Sequence, residues 1–179
     1  MKSEIIESKN QISELRSRIY DNATKTYNRI VQDVSSNSPF DLFVDIKFNK
    51  FGLDPIKGTP LNFIEQLNQM FSDLVVLHAV EELIEKYPDK QFEVNFGARA
   101  GFDIQSVDKM VVAECFAVTS VNSNGKLRED AKKLMKLPAK IKKYIYFYSQ
   151  NDADEKLKRI CESFPEIKYG KVEIISDLF

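Results

Sequence analysis

Apolar side chains stand at Ile5, Ile12, Leu15, Ile19, Ala23, Tyr27, Ile30 and Val34, in steps of seven, three, four, four, four, three and four. Steps of three and four follow the helical period and draw one apolar stripe along residues 2–34, with charged and amide side chains between. The spacing predicts one long helix, either packed on its own domain or paired with the same helix of a second copy. It should end in the SSNSP stretch from Ser35 to Pro39, where Ser and Asn compete for backbone hydrogen bonds and Pro39 blocks continuation. Leu42, Val44, Ile46 and Phe48 then alternate with Phe43, Asp45, Lys47 and Asn49. That is a strand pattern, in a run short enough that a helix also fits. Phe51–Pro60 reads as a loop from its Gly and Pro content.

A second helix is predicted with Thr59 as cap and Pro60 as first residue, running to about Lys86 before Pro88. Its Leu74–Val80 segment is apolar on almost every side apart from His78 and belongs deep in the domain, with His78 as a hydrogen-bonded core histidine. Glu65, Gln69 and Ser72 line one face of this helix. Strand signals follow at Phe92–Phe96, after the glycines Gly97 and Gly101, and over Met110–Val118, with a turn at Ser106–Lys109. Lys126–Leu137 is helical with Leu127, Ala131 and Leu134 inward, and Tyr144–Tyr148 is a continuous apolar run of the kind found in central strands. Asp152–Ser163 is a charged helix and Val172–Ile175 a last short strand. The pattern divides the chain into an N-terminal helical extension, 1–38, and a single α/β domain, 39–179.

Composition adds limits. A chain of 179 residues, 43% apolar and 30% charged, is long enough for one buried core. A net charge of −1 excludes a uniformly basic nucleic-acid binder, so such a partner has to meet positive charge gathered on one face. Lys126–Lys143 gathers it, with eight Lys or Arg against two acids. Cys115 and Cys161 form no CxxC pair, which argues against a disulfide framework or a structural zinc. No apolar run reaches the length of a membrane span and the N-terminus is charged, so the cytoplasm is the expected compartment.

The candidate chemistry lies between Gly97 and Leu137. Side chains alternate between faces along a strand, so Asp103 shares a face with Gln105, and Glu114 shares one with Val112, Phe116 and Val118. Carboxylates in otherwise apolar strands are costly unless paired or bound to a metal. Two of them on adjacent strands repel, and a divalent cation resolves the repulsion. Hard oxygen ligands suit Mg²⁺ or Mn²⁺, and either ion can activate water and polarise a phosphoryl oxygen.

Asp103, followed after ten residues by Glu114 in an apolar strand, resembles the PD-(D/E)xK nucleases of the restriction-endonuclease-like fold. The order of elements over Pro60–Gln150 is similar too: a helix carrying an acid, a strand, the Asp strand, the Glu strand, a helix and a further strand. The resemblance implies a mixed β-sheet flanked by helices and a metal-dependent DNA endonuclease, of a restriction or defence system, that hydrolyses phosphodiester bonds. It implies Asp103 and Glu114 as metal ligands and Glu65 as a supporting acid. The sequence departs from the family at two places. Phe102 precedes Asp103 where the motif has Pro, and Phe116 stands where it has Lys. Some members of that superfamily bring the lysine from the following helix, where Lys126, Lys132 and Lys133 are candidates and Lys126 lies nearest the helix start. Arg99, Lys126, Arg128, Lys132 and Lys133 are the expected DNA contacts, and a homodimer through the first helix would set two sites on two strands. The alternative is a non-catalytic relative of the same fold that binds DNA or builds a complex, which Phe116 favours.

Overall fold

The computed structural model describes residues 3–36, 38–97, 100–120, 125–151 and 154–172. The chain enters as a short strand, β1 (Glu4–Ile6), and only then forms helix α1 (Lys9–Val34). Ser8 sets that start. Its hydroxyl accepts the Gln11 backbone N–H while the Gln11 side chain accepts the Ser8 N–H, a reciprocal capping box. The long helix expected over 2–34 therefore loses about its first two turns to a strand and a cap. The SSNSP stretch ends α1 and also starts the next helix, because Ser38 caps α2 (Pro39–Phe48) with Pro39 in its first turn. Leu42–Phe48 is thus helical, not extended.

The expected loop holds a small hairpin, β2 (Gly52–Leu53) with β3 (Pro60–Leu61). Pro60 belongs to that hairpin, so the following helix α3 (Phe63–Lys86) begins later than expected, capped by the Asn62 side chain on the Ile64 and Glu65 N–H groups. Its end at Lys86 agrees with the sequence reading. Strands β4 (Phe92–Val94), β5 (Ile104–Ser106) and β6 (Val111–Ser120) follow, then helix α4 (Lys126–Met135) and strand β7 (Lys142–Asn151). Helix α5 (Asp154–Ser163) and strand β8 (Ile167–Val172) end the described chain. Of the strand expected at Val172–Ile175, Val172 ends β8 and residues 173–175 lie outside the described residues.

The main sheet has the order β1-β4-β5-β6-β7-β8. Pairing is antiparallel from β1 to β6 and parallel from β6 to β8, with α4 and α5 as the two crossovers. Helices cover both faces. Ile12, Leu15 and Ile19 of α1 and Leu74, Leu77 and Leu83 of α3 pack with Val94, Ile104, Ala113 and Cys115. On the opposite face Leu127, Ala131 and Leu134 of α4 pack with Val112, Phe116, Ile145 and Phe147, flanked by Leu157 and Ile160 of α5. Burial on both faces explains why β6 and β7 read as continuous apolar runs. The molecule is a mixed α/β fold. No helix among the described residues is long and apolar enough to cross a membrane.

Two details depart from the pattern. The inward stripe of α1 runs Ile12, Leu15, Ile19, Asn22, Thr26, so Tyr27 and Val34 face solvent. Polar partners hold that register: the Asn22 amide donates to the Pro55 carbonyl at 3.0 Å and the Thr26 hydroxyl to Gln66 Oε1 at 2.9 Å. His78 is half-buried and meets Glu82 at 3.1 Å on the outer side of α3, rather than sitting within the core.

Gly170 in β8 lies over the Tyr146 ring of β7. A Cβ there would stand 2.5 Å from two ring carbons, so Gly170→Ala must displace a buried aromatic. The expected cost is about 1–3 kcal/mol, read as a lower urea midpoint. An unchanged midpoint would contradict this packing.

Candidate active site

The site forms where the sheet forks. β5 pairs with β6 only through Ile104 with Ala113 and Gln105 with Val112, whereas β6 stays paired with β7 from Val111 to Ser120. Asp103 lies just past the last β5–β6 pair, near enough to Glu114 for its charge to raise the Glu114 pKa. Asp103 is firmly held. Its carbonyl accepts the Asn95 N–H at 2.8 Å, and its Oδ2 accepts the Cys115 N–H at 2.7 Å. The Asn95 amide fastens the preceding residue by donating to the Phe102 carbonyl at 2.7 Å.

Glu114 is 2% exposed in the middle of β6. The ammonium of Lys133, from α4, stands 2.5 Å from its Oε1, yet that oxygen takes no aligned hydrogen bond. Burial pushes the Glu114 carboxyl up to about 8; the neighbouring Asp103 charge adds to the rise and Lys133 opposes it. Lys133 also donates to the Gly101 carbonyl and lies 4.9 Å from the centre of the Phe102 ring. One ammonium thus ties the loop before Asp103 to the strand that carries Glu114.

Lys126 does not reach Glu114. Four residues on along its own helix, Asp130 takes its ammonium at 2.9 Å. Burial works against the Lys126 charge, but the hydrogen bond and charge of Asp130, helped by Asp103 and Glu114, raise its pKa. Asp130 is itself buried, its other oxygen has no partner, and burial raises its pKa. The cluster is therefore three acids, Asp103, Glu114 and Asp130, with two lysines.

A fourth carboxyl lies near. Asp73 of α3 is buried, and burial lifts its pKa to about 7 against the pull of the Gly97 backbone N–H; charge from Asp54 and Asp103 adds to the rise. It lies two turns along α3 from Glu65. Glu65 is exposed in the first turn and makes no hydrogen bond or ion pair with the cluster. Gln69 lies under the Gly97 turn. Arg99 lies outside the described residues.

Among the eight cations of Lys126–Lys143, Lys126 and Lys133 are engaged at the cluster, and Lys143 is buried in β7 against Glu166 at 2.7 Å. Arg128, Lys132, Lys136, Lys140 and Lys142 are exposed and make no ion pair among the described residues. They leave a smaller basic surface than the sequence count suggests.

Phe116 is a core residue, stacked on Phe147 with ring centres 5.8 Å apart, so the strand position expected to offer a lysine faces packed hydrocarbon. Beyond the fork, an uncharged cleft of about 580 Å³ opens between α3 and the ends of β6 and β7, with Asn68, Phe71, Thr119 and Tyr148 on its walls.

The sequence reading did not single out Asp73 or Asp130. Both carried a signal: Asp73 adjoins the apolar Leu74–Val80 run, and Asp130 falls between Leu127 and Leu134 on the inward face of α4. Among the described residues, no three His, Cys, Asp or Glu side chains cluster closely enough to hold an ion. Asp103 and Glu114 by themselves suit an ion that keeps most of its water and takes one or two protein carboxylates, as Mg²⁺ does. Comparison with protein-family models, with curated protein sequences and with solved structures gives no match.

Proposed function

We propose that the chain is a metal-dependent nuclease of restriction-endonuclease-like fold, hydrolysing phosphodiester bonds in DNA as part of a restriction or defence system. The observation that carries this reading is the nearness of the Asp103 and Glu114 carboxyls at the strand fork, with the Lys133 ammonium beside Glu114. The succession α3, β4, β5, β6, α4, β7, antiparallel to β6 and then parallel, supports the same reading, since it matches the order of elements that the resemblance implies.

Asp103 and Glu114 would hold the ion, Mg²⁺ or Mn²⁺. Asp103 has Oδ2 pinned by the Cys115 N–H and would offer Oδ1, while Glu114 would share the cation with Lys133, whose ammonium already stands against its Oε1. Bound there, the cation supplies a lowered water pKa and a Lewis acid for a phosphoryl oxygen. Lys133 takes the part expected of Lys126. Its ammonium is half-exposed and so can both orient Glu114 and meet the charge that develops on a phosphate. Lys126 with Asp130 forms a supporting pair. Arg128, Lys132, Lys136 and Lys140 form the surface that grips the phosphate backbone, which makes binding weaken with salt.

A second reading rests on Phe116. With the strand lysine absent and Lys126 committed to Asp130, the fold would serve as a non-catalytic DNA-binding or complex-forming module. Incubating supercoiled plasmid with the protein and Mg²⁺ or Mn²⁺ separates the two. Nicking that chelator stops and that Lys133→Met removes supports the nuclease. DNA binding without nicking in either metal supports the module.

A further inference from the structure

We propose that a second copy of this chain docks on the apolar surface built from the outer side of α1 and from α2. Six of the ten residues of α2 are large and apolar: Phe40, Leu42, Phe43, Val44, Ile46 and Phe48; yet only Leu42 is buried. Phe40, Phe43 and Phe48 are 75%, 64% and 74% exposed. Phenylalanines this exposed on a mostly apolar helix belong under cover.

Helix α1 continues this surface. Tyr27, Val31 and Val34 are exposed at steps of four and three, on the side turned away from Ile12, Leu15, Ile19 and Thr26. α2 begins within five residues of the end of α1 and the two helices touch, so Val34 and Phe40 belong to neighbouring elements.

The size of the patch fits a two-fold dimer. At 150–250 Å² per aromatic side chain, Tyr27 and the three phenylalanines expose roughly 550 Å² in one copy. Isologous contact doubles this to roughly 1,100 Å² before the valines count, past the ~1,000 Å² that a specific interface needs. That much exposed apolar surface is also at the upper end for a lone monomer.

Charge points to a copy of the same chain. Thr24, Asn28 and Gln32 flank the α1 stripe, giving an uncharged polar rim. A net charge of −1 sets little repulsion between copies. A membrane surface fits poorly, because α2 carries Asp41 and Asp45 against the single cation Lys47.

Sedimentation velocity of the full chain over micromolar concentrations tests this, and the result does not depend on whether the protein cuts DNA. The wild type should sediment as a dimer. Phe43→Lys and, separately, Tyr27→Lys should raise the dimer dissociation constant at least ~30-fold. Both variants should keep the circular dichroism of the wild type, since the replaced side chains are exposed in the single copy. Val107→Lys, at an exposed apolar site away from α1 and α2, should leave assembly unchanged. A wild type that stays monomeric overturns the proposal, as does a Phe43→Lys protein that assembles like the wild type. Flotation of a monomeric wild type with phosphatidylglycerol vesicles would overturn it in favour of a lipid surface.

Discussion

Glu114→Gln should lower the proposed metal-dependent hydrolysis at least ~100-fold and at the same time flatten the fall in stability of the metal-free protein at alkaline pH. Both effects come from one buried carboxyl. Glutamine keeps the shape of the side chain and its place beside Lys133 but removes the negative oxygen that would meet a cation. The stability effect follows from the raised pKa, about 8 in the fold against 4.5 for the free side chain. Because the folded value lies above the unfolded one, the folded state binds the proton more tightly. That contribution is fully present below about pH 4.5 and is lost as pH rises through about 8. Above that, the fold must hold a buried carboxylate with only Lys133 to balance it. Single-turnover cleavage at neutral pH and urea unfolding at pH 6 and pH 9 read the two effects. A variant that cleaves like the wild type, or one that keeps the wild-type pH slope, contradicts this assignment.

Asp73→Asn should remove a second slope, at lower pH. Asp73 is buried at the α3 side of the fork and its carboxyl titrates near 7 in the fold, against 3.8 when free. The sign is the same as for Glu114: stability is present below about pH 4 and lost as pH rises to about 7, on the order of 4 kcal/mol across the window. Asparagine can still accept the Gly97 N–H, so the variant should match the wild type at pH 4 and exceed it at pH 8. Urea midpoints of both proteins across that range give the comparison. Parallel curves would mean that Asp73 is as well solvated in the fold as in the unfolded chain.

How much of this was legible depended on whether local pattern or distant partners decided the matter. The pairing of β5 with β6 could be read from sequence because the turn at Ser106–Lys109 is short, and a short turn between two alternating runs leaves little freedom of register. Leu42–Phe48 was ambiguous because apolar residues occupy both alternate and helical positions, and the Ser38–Pro39 start signal settles it as a helix. Ile5 fits the helical stripe by seven steps, but its segment pairs with β4, a contact far away in sequence.

The lysine was assigned by nearness in sequence, which favoured Lys126. Within a helix, a residue four positions on is a nearer partner than a strand carboxylate, and Asp130 occupies Lys126 in that way. Lys133, two turns later, is the one that stands over Glu114. Asp73 and Asp130 were hidden by a reading that followed apolar residues on the inward faces and passed over the acids among them. The exposure of Tyr27 and Val34 has a similar origin, since the polar contacts of Asn22 and Thr26 set the rotation of α1.

The central claim is that Asp103 and Glu114 share one divalent cation. Calorimetric titration of Mn²⁺ into the wild type and into Asp103→Asn tests it most directly. The account predicts saturable binding by the wild type and a loss of affinity of at least ~100-fold in the variant, with proton release in the wild type as Glu114 ionises. Equal affinity in the two proteins, or no saturable binding by the wild type, would contradict it.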